Sequence, residues 1–212
     1  RDAAWRTLLK FEISSLPVDV ERIAGEAGVE ITAWPRKEET PELFALLLGE
    51  AAAAGLRIRG KWHVFTKPGL GYNRDRFALA HELGHIILQH PMRRLKEGVY
   101  AFAGRENAGD VLAEAKEESD MDADMFAIRL LAPACVLHHL HIRNEALLSA
   151  LCGLPERAAV LRAERMALLD SRNAYGIHPL EKQVQSQFAP FIRKKRQEQV
   201  PEKAMPERPA AN

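Results

Sequence analysis

Apolar and polar residues alternate over short runs near the start of the chain. Residues 20–28 place apolar side chains three and four positions apart, which predicts a helix that Asp19 caps and Gly28 ends. Residues 29–34 then alternate apolar and polar side chains up to Pro35, and this period of two predicts a strand.

Two further runs, residues 56–59 and 62–65, flank Gly60 and predict a β-hairpin. Residues 42–48 are a candidate for one more short element, and residues 67–71 have the proline and glycine content of a loop. We therefore expect a small sheet in this part of the chain.

Longer helical periods follow the loop. One helix is predicted from Asn73, as its cap, to about His90, where Pro91 stops it. A second helix is predicted from about Ser119 and ends before Pro133.

The rest of the chain is predicted to be helical, so we expect an α+β protein that is mainly helical. Its divisions are a core domain over residues 1–137, a helical region over 138–192 and a disordered tail over 193–212. Within the helical region, Gly153 opens a turn before a helix over residues 155–169, which resembles part of a helix-turn-helix.

Composition narrows the class of protein. The 212 residues are 47% apolar with a net charge of +1, which gives no reason to expect a polyanionic partner. Two cysteines, Cys135 and Cys152, are too few for a secreted disulfide scaffold and lie in apolar stretches that predict buried thiols. The small number of cysteines favours the reducing cytoplasm. No apolar run has the length of a membrane span, so we expect no membrane partner.

The first long helix carries His81, Glu82, Gly84 and His85 as one polar stripe between apolar residues. Two histidines four positions apart share a helix face, and their imidazole nitrogens can reach one zinc ion. Glu82 lies beside that face and can act as the general base toward an activated water. Two core histidines without a metal are the alternative, which is disfavoured because buried ionisable groups need a partner.

A catalytic zinc ion needs a third protein ligand, and the second helix offers carboxylates. Asp120 and Asp124 are four positions apart and share a face. One could bind the metal while the other holds a ligand histidine through its second ring nitrogen. Spacing alone leaves open that these acids merely favour the start of a helix through its dipole.

These residues together resemble the ImmA/IrrE family of metallo-endopeptidases. The segments that carry the resemblance are residues 76–85, 123–127 and 130–133, with weaker likeness at 16–18, 162–166 and 178–181. The resemblance covers most of the chain apart from the tail.

The resemblance implies a gluzincin-like zincin core, in which a small sheet packs on the HExxH helix, and a cytoplasmic bacterial or mobile-element origin. It implies one zinc ion held by His81, His85 and Asp120, with Glu82 as the catalytic residue. Asp120 stands where the family usually has glutamate, which is one methylene longer. Asp124 matches an acidic or amide position of the family that suits a partner of a ligand histidine.

Several other polar residues are weaker candidates. Tyr72, just before the predicted helix, could donate a hydrogen bond to an oxyanion. His63 is more simply structural, and His90 is expected to bond to carbonyls at the helix end. The histidines near residue 139 are expected to be a solvated or capping run, although a further metal site is the alternative; they are His138, His139 and His141.

The predicted helix after Gly153 carries Arg157, Arg162 and Arg165. Interspersed acidic residues dilute this charge, so we expect the region to recognise a protein and not to bind DNA directly. Together these features predict a zinc-dependent endopeptidase that cleaves a helix-turn-helix transcriptional repressor in mobile-element or stress-response derepression. The alternative is a non-catalytic zincin-fold protein that sequesters a repressor or an antitoxin.

Overall fold

A computed structural model describes residues 1–33, 51–67, 69–102 and 110–199, with side chains over 118–198 in the last range. These residues form helices and one five-stranded mixed sheet, so the predicted mainly helical α+β class is confirmed. The candidate element at residues 42–48 lies outside the described residues.

The first two helices and the first strand precede the site. Helix α1 spans Asp2–Lys10, helix α2 spans Val20–Glu26 and strand β1 spans Val29–Ala33. As predicted, Asp19 caps α2, and its side chain accepts a hydrogen bond of 2.9 Å from the backbone N–H of Arg22.

The sheet has the strand order β1-β3-β2-β5-β4. Its other strands are β2 (Ala53–Ile58), β3 (Lys61–Thr66), β4 (Met92–Lys96) and β5 (Val99–Phe102). Strand β1 is parallel to β3, and the remaining neighbours are antiparallel. The β2–β3 hairpin was predicted, whereas the β4–β5 hairpin was not, because the charged residues of β4 hide its alternation.

Helix α3, which carries the candidate site, spans Tyr72–Leu88. The prediction that Asn73 caps it was wrong. The side-chain amide of Asn73 instead donates to Ser149 Oγ and to the carbonyl of Leu154, which ties the start of α3 to the C-terminal helices. The helix also ends before His90, because Gln89 adopts a left-handed conformation with φ of 57°.

Helix α4 spans Asp110–Leu131 and packs along α3. It begins well before Ser119, where the sequence predicted its start. Gly84 allows the close approach of the two helices, because a Cβ there would lie 3.1 Å from the Cα of Ala123 and 3.1 Å from Phe126 Cδ1. The contact is buried in the core, with Leu83 and Phe126 almost fully enclosed.

Four helices complete the described chain. They are α5 (Ala134–His139), α6 (Glu145–Cys152), α7 (Glu156–Ser171) and α8 (Pro179–Gln199). A short turn at Gly153 joins α6 to α7, as predicted. The division of the chain at residue 137 stays a prediction, although α5 continues through that position.

The sequence predicts a disordered tail from residue 193, but the preceding helix continues beyond that residue. Residues 193–199 continue helix α8, while residues 200–212 lie outside the described residues. Two contacts support this extension: Lys195 Nζ lies 2.7 Å from Glu198 Oε2 within the helix, and Arg196 donates to the carbonyl of His139 on α5 at 2.8 Å. The Lys195–Glu198 pair lies on one helix face and adds to the stability of a helix that composition alone does not favour.

A buried arginine changes the interpretation of the α7 basic residues. Arg162 is 4% exposed, and its Nε donates to the carbonyl of Ala132 at 2.6 Å. Burial lowers its pKa to about 10 and raises the pKa of the Cys135 and Cys152 thiols to about 12. Arg162 is therefore part of the interior, and both cysteines are free and buried, as predicted. No helix among the described residues combines the length and apolar character needed to span a membrane.

Replacing Gly84 by alanine is expected to lower the free energy of unfolding by about 1–3 kcal/mol, because the added methyl group overpacks the α3–α4 contact. Gly25→Ala is the matched control. Gly25 also lies in a helix, but nothing lies within 4 Å of its added Cβ, so we expect a gain of up to about 1 kcal/mol. Chemical denaturation with a chelator present measures both values, and equal stability of the two variants would contradict the close approach.

Candidate metal centre

Helices α3 and α4 bring three potential metal ligands together. His81 and His85 lie one turn apart on α3, with their Nε2 atoms 3.0 Å from each other. Asp120 comes from α4, and its Oδ1 lies 3.4 Å from His85 Nε2. One ligand atom from each residue lies within 4.8 Å of the others, so the group could hold a metal ion.

The distances fit a tetrahedral ion with small side-chain movements. Ligand atoms about 2.0–2.2 Å from such an ion lie about 3.3–3.6 Å apart. The His85–Asp120 separation of 3.4 Å falls in this range, and the 3.0 Å between the two imidazoles is slightly short. Aspartate in place of the longer glutamate is therefore compatible with the geometry of the described residues.

Asp124 holds the first histidine of the triad. Its Oδ1 lies 2.7 Å from His81 Nδ1, so that nitrogen carries a proton and Nε2 is left as a ligand atom. Burial opposes a positive charge on His81, but the hydrogen bond to Asp124 and the nearby carboxylates outweigh it and raise the pKa of His81. This is the contact expected of a carboxylate that orients a metal ligand.

His90 holds the second histidine of the triad, whereas the sequence predicted only that His90 bonds to carbonyls at the helix end. Its Nδ1 lies 2.8 Å from His85 Nδ1, on the side of the ring away from the triad nitrogen. Burial and the neighbouring His85 lower the pKa of His90, which favours the neutral ring, whose Nδ1 can accept a hydrogen bond from His85 Nδ1–H. The left-handed turn at Gln89 folds His90 back over α3, and no sequence period reveals such a turn.

Glu82 lies beside the triad without belonging to it. The residue is 9% exposed, and its Oε2 accepts a hydrogen bond of 2.7 Å from the backbone N–H of Gly55 on β2. Burial raises the pKa of this carboxyl group despite the adjacent histidines. The site thus contains a carboxylate that is positioned by the sheet and is more basic than an exposed one.

Two residues of the sheet form the wall behind the site, and neither was predicted. Phe102 stacks on His85 with ring centroids 4.9 Å apart. Gly55 admits Glu82, because a Cβ there would lie 2.9 Å from Glu82 Oε2 and 2.8 Å from Phe102 Cε2. The available signal in the sequence was Gly55 itself, because a glycine in a strand often marks the close approach of another group.

Tyr72 lies in a different environment. It is 62% exposed, the guanidinium of Arg76 lies 5.1 Å above its ring, and it lines a cleft that also contains Asp19 and Leu79. His81 and Glu82 line a separate cavity. This placement gives no support to an oxyanion role for Tyr72.

The remaining histidines have structural contacts. His63 on β3 lies 3.5 Å from a carboxylate oxygen of Glu30. His138 stacks on Tyr175 with ring centroids 3.9 Å apart and lies 3.2 Å from Asp170 Oδ1. Within the described ranges, the histidines around residue 139 do not assemble three metal ligands.

Comparison with known proteins adds no relative: no protein-family model matches the chain, and no curated protein sequence matches it. The resemblance to the ImmA/IrrE family therefore depends on the motif residues named above.

Asp120→Ala is expected to weaken metal binding by at least about 100-fold, because it removes one of three ligands. Asp122→Ala is the matched control, since Asp122 is an exposed carboxylate on the same helix outside the triad. Elemental mass spectrometry and titration against a competing chelator measure both variants. Equal metal affinity in the two would remove Asp120 from the ligand set.

His90→Ala is expected to weaken metal binding about 10–100-fold, because His85 loses the partner that fixes its ring. His139→Ala removes a histidine outside the site and is expected to leave the affinity unchanged. The same chelator titration applies, with thermal unfolding of the metal-free proteins as a test of folding. Unaltered affinity in a folded His90→Ala protein would refute the orienting contact.

Proposed function

We propose that this protein is a zinc-dependent endopeptidase that cleaves a protein substrate in the cytoplasm. The observation that carries the proposal is Glu82, a buried carboxylate next to the triad that the backbone of Gly55 fixes in place. A site that only stores or structurally binds a metal has no need of such a group. Hydrolysis does need it, because a water molecule must lose a proton as it attacks.

Zinc is the metal that best suits these residues. Two histidines and one carboxylate are the ligand set of a common class of catalytic zinc sites, which keep a further position open. The same set also suits ferrous iron in oxygenases. A buried general base beside the ligands favours hydrolytic chemistry, and therefore zinc, over oxygen activation.

Hydrolysis at this site would divide its chemistry between the metal and Glu82. A bound zinc ion supplies Lewis-acid activation of the water and of the substrate carbonyl. Glu82 takes the proton from the water and delivers it to the leaving amine, and its raised pKa makes it a stronger base. Its Oε2 already accepts from Gly55, so Oε1 remains to accept the proton.

The sheet offers an edge for an extended substrate. Strand β4 is an edge strand of the described sheet, and its neighbour β5 contributes Phe102, which stacks on His85. A peptide that adds to such an edge gains backbone hydrogen bonds and lies alongside the site. The edge position of β4 supports an extended binding mode for the substrate.

The substrate and the location are further parts of the proposal. The motif resemblance at residues 76–85 and 123–127 supports a helix-turn-helix repressor as the substrate, in mobile-element or stress-response derepression. Two free, buried cysteines are compatible with a reducing cytoplasm.

The test compares zinc-loaded wild type with Glu82→Gln on a proteome-derived peptide library and on purified helix-turn-helix repressors. Glutamine keeps the acceptor for Gly55, so we expect one bound zinc ion per chain and cleavage reduced at least about 100-fold. Mass spectrometry counts the new termini, and elemental analysis counts the zinc.

Two outcomes would contradict the peptidase. Equal cleavage by Glu82→Gln would exclude Glu82 as the base. Wild type that holds one zinc ion per chain, cleaves nothing and still binds a repressor would favour the alternative of a sequestering protein.

A further inference from the structure

A cavity of about 530 Å³ opens beside the metal triad. Both His81 and Glu82 line it, so a molecule bound there lies next to the reacting groups. Its volume is within the range of about 300–1,000 Å³ that is typical of ligand pockets. Helices α3, α4 and α7 and the start of β2 all contribute to its wall.

The wall of this cavity is mainly apolar. Its larger apolar side chains are Phe77, Ile128 and Leu161. Leu161 is 45% exposed, which is unusual for a large aliphatic residue that has a core nearby. An exposed apolar wall of this kind binds an apolar side chain by removing both surfaces from water.

Two arginines add positive charge to the cavity from different elements. Arg74 comes from α3 and Arg157 from α7, and both are exposed. Neither guanidinium forms a hydrogen bond or an ion pair within the described parts of the chain, unlike that of Arg143, which lies 2.6 Å from Asp170 Oδ2. They are therefore available to a ligand.

The acidic residues of the cavity are already engaged. Asp124 contacts His81, and Glu82 is buried and accepts from Gly55. Neither neutralises the two arginines by direct contact. A carboxylate on the ligand is the natural partner of a free guanidinium, which can bind it through two parallel hydrogen bonds.

We infer that this cavity selects a peptide segment in which a large apolar residue lies next to an acidic residue. The inference rests on the proposed peptidase, since it names the class of segment presented to the site. The apolar side chain enters between Phe77 and Leu161, and the acidic side chain meets Arg74 or Arg157. A large apolar side chain alone would leave both arginines unpaired.

The test measures binding, so that it does not depend on cleavage. Fluorescent octapeptides with a central Leu-Glu pair are titrated by anisotropy against the zinc-loaded Glu82→Gln chain at low ionic strength. Parallel peptides carry Leu-Lys or Ala-Glu at the same positions. We expect the Leu-Glu peptide to bind about tenfold more tightly than each, with the preference over Leu-Lys reduced by salt.

A charge reversal makes the test specific. In the Arg74→Glu/Arg157→Glu double variant we expect the Leu-Lys peptide to become the tighter ligand, a gain that misfolding cannot produce. Arg172→Glu is the matched control, since Arg172 is an exposed arginine at the end of α7 outside the cavity, and should keep the wild-type preference. Leu161→Ala should reduce binding of the Leu-Glu peptide severalfold.

Failure of this inference differs from failure of the peptidase. Equal binding of the Leu-Glu and Leu-Lys peptides, or an unchanged preference in the double variant, would overturn the inference even if the protein cleaves peptides. Displacement of the Leu-Glu peptide by a short single-stranded DNA at equal concentration would also overturn it, in favour of a phosphate ligand. Selective peptide binding without any cleavage by wild type would leave the inference intact and refute the peptidase.

Discussion

The packing of helix α3 against helix α4 at Gly84 is the contact on which the rest of the site depends. The histidines of α3 and the carboxylates of α4 can meet only if the two helix backbones come unusually close. A hydrogen side chain at residue 84 permits this, whereas any larger one would separate the helices. Aspartate at position 120 is consistent with the same closeness, because a shorter acid reaches His85 only from a nearer helix.

The site is built so that each reactive side chain has a fixed orientation. Asp124 holds the outer nitrogen of His81, His90 holds that of His85, and Gly55 holds Glu82. These contacts leave the facing imidazole nitrogens and one carboxylate oxygen to react. Burial shifts the pKa values of these groups in opposite directions: it raises the pKa of the Glu82 carboxyl and lowers that of His90. The result is a carboxyl group of raised pKa beside two imidazole ligands of fixed orientation.

Helices α3, α4 and α7 connect the metal group to the adjoining cavity. Helix α7 closes one side of it with Leu161 and Arg157, and α3 contributes both Arg74 and the triad histidines. The tie between Asn73 and the α6–α7 turn fixes the start of α3 against these C-terminal helices. The helical region after residue 138 therefore forms part of the wall beside the site, whatever its independence as a domain.

Local pattern in the sequence determined the features that need only neighbouring residues. The spacing of His81 and His85 put both on one face of a helix, the Asp19 cap and the β2–β3 turn followed from their own residues, and the apolar flanks of the cysteines indicated burial. These are short-range consequences of helix and strand geometry. Spacing limited the third metal ligand to Asp120 or Asp124, but it did not decide which of the two binds the metal.

Only the tertiary structure decided the contacts made between distant segments. The bond from Gly55 to Glu82 joins residues 27 positions apart, and that from Asn73 to Leu154 joins residues 81 positions apart. His90 contacts His85 because the intervening Gln89 is left-handed, and no periodicity in the sequence indicates that turn. Arg162 was grouped with the basic residues of a recognition surface, but it is buried in the interior. For Glu82, Asn73 and Arg162, long-range packing and not the preference of the local sequence selected the partner, because a buried polar group must take whichever donor or acceptor the fold brings to it.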